Sequence, residues 1–94
     1  MKQFKSLNDI LKNLIKNLGI EREILENQAI VHWPMIVGPK IAENTSAELI
    51  KDGILFVKVK SDVWRNELLF YKKDLIERLN QKLGKKVVFD LKLV

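Results

Sequence analysis

The chain has 94 residues, of which 47% are apolar, enough for one ordered core and too few for two domains. It contains no cysteine and one histidine, which excludes a disulfide framework and thiol chemistry. No apolar run approaches the roughly 20 residues that cross a bilayer, and the N-terminal stretch has no signal-peptide pattern. We expect a single domain over residues 1–94 in a reducing cytoplasm, without a membrane segment.

The net charge of +5 is distributed unevenly along the chain. Residues 1–50 carry six basic and six acidic side chains, whereas residues 51–94 carry eleven basic and six acidic ones. All the excess positive charge therefore lies in the C-terminal half. This asymmetry favours a polyanionic partner such as a nucleic acid, although a lysine-rich surface that only keeps the protein in solution has the same composition.

A first amphipathic helix is predicted between Ser6, whose hydroxyl can cap it, and Gly19, which can end it in the left-handed conformation. Its apolar residues recur at spacings of three and four: Leu7, Ile10, Leu11, Leu14, Ile15 and Leu18. A second helix is predicted over residues 21–36. Pro34 predicts a kink or break in it, and Gly38-Pro39 predicts a second interruption before a short helical turn at residues 41–42.

From Thr45 the apolar period changes to two, which predicts strands. Along the first strand, Ala47 and Leu49 alternate with Ser46, Glu48 and Ile50. Asp52-Gly53 predicts a hairpin, because both positions tolerate positive φ. Along the second strand, a core face of Leu55, Val57 and Val59 alternates with Ile54, Phe56, Lys58 and Lys60.

A long third helix is predicted between a cap at Ser61 or Asp62 and an end at Gly84. Its predicted inner face consists of Trp64, Leu68, Tyr71, Leu75 and Leu79. A last strand is predicted from residue 87, with Val87, Phe89, Leu91 and Leu93 on one face.

The order α-α-β-β-α-β predicts a two-layer α+β domain, in which the helices cover one face of a three-stranded sheet. The other face would be partly open and would expose Lys58, Lys60, Lys92 and Phe56.

Enzyme activity is not expected from these residues. His32 has no identifiable partner that would make it a general base, and a packed or capping role is the better interpretation of it. The carboxylates show no metal-binding spacing, and the chain has no P-loop and no G-x-G-x-x-G. We therefore expect no metal, no cofactor and no small-molecule substrate.

Binding is the more plausible function, and two groups of basic residues could hold phosphates. The first surrounds the end of the third helix and comprises Arg78, Lys82, Lys85 and Lys86, with Lys92 nearby. The second comprises Lys58 and Lys60 beside Phe56, on the predicted open face of the sheet. In either place the lysines could equally be a solvated surface.

Aromatic residues are the remaining candidates for contacts with a partner. Phe70 falls on the polar side of the third helix, where it is either packed against the first helix or exposed as an anchor. Trp33 and Trp64 each lie beside a turn, and we interpret them chiefly as buried anchors whose indole N–H finds a backbone partner. For contacts with a protein partner, the sequence predicts Phe70, Trp64 and Phe56.

The ordered pattern W…VG..IA..T…DG.L.V.V.S..W..EL resembles the bacterial DciA family, whose members assist the loading of the replicative DNA helicase. The matching residues are Trp33, Val37, Gly38, Ile41, Ala42, Thr45, Asp52, Gly53, Leu55, Val57, Val59, Ser61, Trp64, Glu67, Leu68, Leu79, Asn80 and Gly84. The resemblance implies a KH-like domain that binds a DnaB-type helicase and, without sequence specificity, DNA. The chain departs from classical KH domains in having no Gly-x-x-Gly loop. Contacts that some family members make through an added C-terminal tail are not expected from these residues.

Two other interpretations remain open at the level of sequence. The chain could be a KH-like module that binds RNA or single-stranded DNA without a helicase partner. It could also be an interaction domain whose positive charge plays no part in binding.

Overall fold

The computed structural model describes residues 6–94, which form four helices and a three-stranded sheet. In chain order the elements are α1 (Leu7–Leu18), α2 (Glu21–Val37), α3 (Pro39–Glu43), β1 (Thr45–Lys51), β2 (Ile54–Val59), α4 (Asp62–Leu83) and β3 (Asp90–Leu93). Apart from the very short α3, this is the predicted order. The two-layer α+β architecture with helices on one face of the sheet is confirmed.

The sheet has the order β1-β2-β3, with β2 in the centre. Strand β2 pairs antiparallel with β1 and parallel with β3. The connection between β2 and β3 is α4, which lies over the sheet and returns the chain to its other edge. The inner face of β2 is fully used for packing, since Leu55, Val57 and Val59 are all buried, as the alternation predicted.

The hydrophobic core lies between this sheet face and helices α2 and α4. Helix α2 contributes Ala29, Trp33 and Val37, and α4 contributes Leu68, Leu75 and Leu79. Tyr71, which we predicted on the inner face of α4, is instead 50% exposed. A buried tyrosine hydroxyl needs a hydrogen-bond partner. A position at the edge of the inner helix face, where water reaches the hydroxyl, therefore costs less free energy than a position in the core.

Trp33 is a buried anchor, as predicted, but the backbone partner predicted for its indole N–H is wrong, since the acceptor is a side chain. Its Nε1 donates to Thr45 Oγ1 over 3.0 Å. Thr45 Oγ1 in turn donates to the carbonyl of Ile41 over 2.7 Å. The chain of bonds ties α2, α3 and the start of β1 together. Trp64 is only half-buried and packs against the border of the core.

Of the kink or break predicted at Pro34, the break does not occur, since α2 continues to Val37. The residue costs the helix one backbone donor, but buried Trp33 and Val37 on either side hold this turn against the core. The helix ends at Gly38, whose N–H donates to the carbonyl of Pro34. The short helical turn predicted at residues 41–42 is confirmed as α3.

The Asp52-Gly53 hairpin is confirmed, with φ of 53° and 79° at its two residues. The alternation predicted for β1 fails in its second half. The strand register shifts between Ala47 and Leu49, and such a bulge moves every later side chain to the opposite face. Leu49 is consequently 49% exposed, whereas Ile50 packs against the core.

Strand β3 begins three residues later than predicted, at Asp90. Val87 and Val88 are both buried. Because successive side chains of a regular strand point to opposite faces, a strand with one face on the core would bury only one of them. Phe89, predicted to point inward, is 52% exposed. The cause is the side chain of Asn80, whose hydrogen bonds to the backbone of residues 87–88 hold them outside the strand ladder.

Candidate nucleic-acid and protein-binding site

An open groove of about 1000 Å³ runs between one side of α4 and the segment that leads into β3. We call it the α4 groove. Its apolar walls come from Leu69, Phe70, Ile76, Val88 and Phe89. Its charged walls come from Lys72, Lys73, Lys85, Lys86 and Glu77. A concave surface that combines exposed aromatic rings with four lysines and one carboxylate can hold an anionic ligand that also has apolar or flat parts.

Asn80 positions the segment that closes this groove. Its Oδ1 accepts from the backbone N–H groups of Val87 and Val88, at 3.0 and 2.9 Å. Its Nδ2 donates to the carbonyl of Val88 over 2.8 Å. Gly84 turns the chain away from α4 in the left-handed conformation, with φ of 77°. These contacts fix where Lys85, Lys86 and Phe89 can lie.

Phe89 is held at the groove by the β-hairpin turn. Its N–H donates to the carbonyl of Gly53 over 2.8 Å. A Cβ atom on Gly53 would lie only 2.5 Å from Phe89 Cδ2, so the ring occupies space that only glycine leaves free. Lys86 Nζ lies 5.3 Å from the centre of the ring, within the range of a cation–π contact. Half of this ring nevertheless remains exposed.

Phe70 provides the second exposed aromatic ring of the groove. It is 84% exposed, which decides between the two alternatives left open by the sequence: it is not packed against α1. Phe70 is not an isolated exposed residue, because it lines the groove together with exposed Leu69 and Phe89, and a contiguous apolar patch is typical of a contact site. Phe70 and Phe89 therefore present two rings to one concave surface.

Ion pairs neutralise some of the predicted phosphate-binding residues. Arg78 Nε lies 2.9 Å from Asp74 Oδ2, and Lys85 Nζ contacts Glu21 Oε1. The Lys85 ammonium lowers the pKa of Glu21, first by its hydrogen bond and then by its charge. Lys72 Nζ lies 3.0 Å from Asp90 Oδ1 and lowers the pKa of that carboxyl by the hydrogen bond. Free positive charge in the groove is thus concentrated at Lys73 and Lys86.

The structure separates the predicted basic residues into two surfaces. Lys85 and Lys86 line the α4 groove, whereas Lys82 lies on the last turn of α4 outside its lining. Lys58, Lys60 and half-buried Phe56 lie on the open face of the sheet, and Lys92 is the register partner of Phe56 on β3. Leu69 and Lys72 of the groove also line a smaller neighbouring depression, which Lys92 lines as well, so Lys92 connects the two surfaces.

Sequence reasoning identified three residues of the groove as site residues and missed the others, among them Leu69, Lys72, Lys73 and Phe89. The adjacent lysines at 72 and 73 were a visible signal, because they follow exposed Phe70 on the same helix. Phe89 was assigned inward by strict alternation, and only the turn held by Asn80 brings it to the surface. No group of metal-binding side chains occurs within residues 6–94. Over the same range, no helix is long and apolar enough to cross a membrane.

The comparison with known proteins identifies the family. The model of the family described as "Dna[CI] antecedent, DciA" matches residues 6–93. A UPF0232 protein of Corynebacterium glutamicum is 28% identical over 89 residues, which cover 95% of this chain and 50% of that protein. UPF0232 proteins of Mycolicibacterium smegmatis and Mycobacterium tuberculosis are 27% and 28% identical, over 94% and 93% of this chain and 45% and 46% of theirs. The chain thus spans about half the length of these relatives, and it belongs to the DciA family.

Proposed function

We propose that this chain is a cytoplasmic DNA-replication accessory domain that binds the replicative DNA helicase and, without sequence specificity, DNA, and so assists helicase loading. Membership of the DciA family supports a role of the helicase-loader type in replication. The observation that carries the binding part is the α4 groove, where two exposed phenylalanines lie among four lysines.

The groove is suited to DNA because it offers positive charge without a sequence-reading element. Lys73 and Lys86 are flexible cations that can meet phosphates in many geometries, which gives affinity but no base discrimination. The phenylalanine rings add flat surfaces on which any base can stack. A domain with this surface would bind DNA of any base sequence.

The helicase contact is assigned to the exposed apolar part of the same region. Phe70 is the most exposed aromatic side chain among the large apolar residues of the described chain. Leu69 beside it is 54% exposed. Apolar anchors surrounded by charged residues are the usual composition of a protein–protein contact. Trp64, half-buried at the border of the core, contributes at most its outer edge.

No enzymatic role is proposed. The described residues provide exposed rings, cations and backbone groups, all of which bind and orient ligands without forming or breaking bonds. The domain would act by bringing a helicase and DNA together, so its effect on loading follows from effective concentration.

The proposal is tested by size exclusion with light scattering, in which the protein is mixed with the replicative helicase of its own organism. We expect a complex of defined mass, and we expect Phe70→Ala to weaken it while leaving the melting temperature nearly unchanged. Separate elution well above micromolar concentration would contradict the helicase part and favour a nucleic-acid-binding module without this partner. A large loss of stability in Phe70→Ala would contradict the placement of its ring outside the core.

A further inference from the structure

Helix α1 exposes the apolar stripe that an amphipathic helix normally buries. The helix has no buried residue. Leu7 is 80% exposed, and Leu11 and Leu14 are each 51% exposed. Its polar residues lie on the opposite side, so the exposed stripe is continuous. The remainder of the described chain leaves this face open.

The spacing of the exposed leucines is that of a coiled-coil seam. Leu7, Leu11, Leu14 and Leu18 are separated by four, three and four residues, which is the alternation of the a and d positions of a heptad. Ile10 and Ile15 flank the seam. The charged residues Asp9, Lys12 and Lys16 all fall at heptad positions away from it. Such a stripe is complementary to another helix with the same spacing.

We propose that α1 pairs in antiparallel orientation with α1 of a second copy of this chain. In an antiparallel pair each a position meets a d position, so every layer of the seam is leucine against leucine. The lysines of both helices stay in water and away from each other. The stripe is thus self-complementary, as a twofold interface requires.

Charge disfavours the α4 groove as the site for α1. The α4 groove carries four lysines and one glutamate, and α1 carries Lys12 and Lys16 against a single acidic residue, Asp9. Insertion of α1 into the groove of a neighbouring copy would therefore bring like charges together. Pairing between two copies of α1 avoids this repulsion.

The size of the seam predicts a weak dimer. The exposed apolar side chains of two α1 helices can bury on the order of 1000 Å², which is near the lower limit for a specific interface.

The antiparallel orientation of the two helices follows from the space that the two molecules need. Paired helices lie about 8–10 Å apart, whereas the molecule measures 18 Å even along its shortest axis. A parallel pair would crowd the two bodies at one end, and an antiparallel pair places them at opposite ends.

The test is sedimentation equilibrium of the full chain from micromolar to near-millimolar concentration. We expect the mean mass to rise towards twice the monomer mass. The double variant Leu11→Lys, Leu14→Lys should stay monomeric throughout, with an unchanged melting temperature because neither residue is in the core. The control Val31→Lys, Met35→Lys changes two exposed apolar residues of α2 in the same way and should still dimerise.

Three results would overturn the proposal: a parent protein that is monomeric at every concentration, a dimer that survives the two lysines in α1, or a dimer that both double variants lose equally. A monomeric parent whose α1 variant alone fails to bind the helicase would show that a partner helix covers the seam instead.

The orientation of the two helices is tested separately by disulfide formation. Because the chain has no cysteine, only introduced cysteines can form the bond. In an oxidised mixture of Leu11→Cys and Leu14→Cys chains, the 11–14 disulfide should predominate, and a predominance of 11–11 would show a parallel pair.

Discussion

The carboxamide of Asn80 holds Val88 by both of its backbone groups, accepting from its N–H over 2.9 Å and donating to its carbonyl over 2.8 Å. The same Oδ1 accepts a third bond, from the N–H of Val87. One residue of α4 thereby sets the path of the chain into β3. The lysines and the phenylalanine of the α4 groove are carried on that path.

Asn80→Ala should therefore destabilise the fold and distort the groove together. Three hydrogen bonds disappear, and partly buried backbone groups of residues 87–88 lose their partners, for which we expect a loss of about 2 kcal/mol. Urea denaturation measures this loss in the free energy of unfolding. Asn66→Ala is the control, because Asn66 is exposed on the same helix. Equal stability of the two variants would contradict the role given to Asn80.

Gly53→Ala tests the contact between the hairpin and Phe89. Two effects add: a left-handed backbone with φ of 79°, and a Cβ atom that would lie 2.5 Å from the ring. Gly19→Ala is the matched control, since its φ is 70° and nothing lies within 4 Å of the added atom. We expect both variants to lose stability, and Gly53→Ala to lose at least about 1 kcal/mol more. Equal losses would show that the ring moves aside without cost.

Thr45→Val tests the bond that joins α2 to β1. The substitution keeps the shape of the side chain and removes the acceptor of the Trp33 indole N–H. A buried donor without a partner costs about 1–3 kcal/mol, and we expect a loss of this size in thermal or urea unfolding. Thr45→Ser retains the hydroxyl and should lose less. A larger loss in the serine variant would assign the stabilisation to the methyl group.

The pair of Lys72 and Asp90 should make stability depend on pH in the acid range. Because the hydrogen bond from Lys72 lowers the pKa of Asp90 in the folded protein, the stabilisation is present above the unfolded-chain value of about 4. It is lost as the pH falls through the lower folded-state pKa. Asp90 is 55% exposed, so the contribution is at most about 1 kcal/mol. The difference in unfolding free energy between the parent and Asp90→Asn should shrink as the pH falls into strong acid. In a Lys72→Met background this pH dependence should be smaller, and the bond from the Leu91 N–H to Asp90 Oδ1 accounts for the part that remains. An equal pH dependence in the two backgrounds would contradict the role given to Lys72.

The sequence predicted those parts of the fold that depend on local chemistry. The Ser6 and Ser61 caps, the turn at Asp52-Gly53 and the ends at Gly19 and Gly84 follow from single residues whose preferences are strong. The parts that depended on contacts distant in sequence were missed. No residue near Leu49 in the sequence indicates the β-bulge. No residue near Phe89 indicates that the Asn80 side chain binds the backbone of residues 87–88.

The residues of the candidate site also fall into those that the sequence identified and those that only the fold brings together. Lys85, Lys86 and Phe70 were identified from charge and from the position of an aromatic residue on a polar helix face. Lys73 and Phe89 join them only because the chain folds back beside α4, which the sequence pattern does not indicate. Arg78 and Lys85 were predicted to hold phosphates, and the structure pairs them with Asp74 and Glu21.

The measurement that tests the α4 groove most directly is the binding of a labelled oligonucleotide, followed by fluorescence anisotropy at several salt concentrations. The variants are Lys73→Glu, Lys86→Glu in the groove and Lys12→Glu, Lys40→Glu outside it, which change the net charge equally. We expect the groove variant to lose at least about tenfold in affinity and to show a shallower dependence on salt, and the control to lose less than about threefold. Equal losses in the two variants would show that DNA is held by net charge alone, and the assignment of the groove would be wrong.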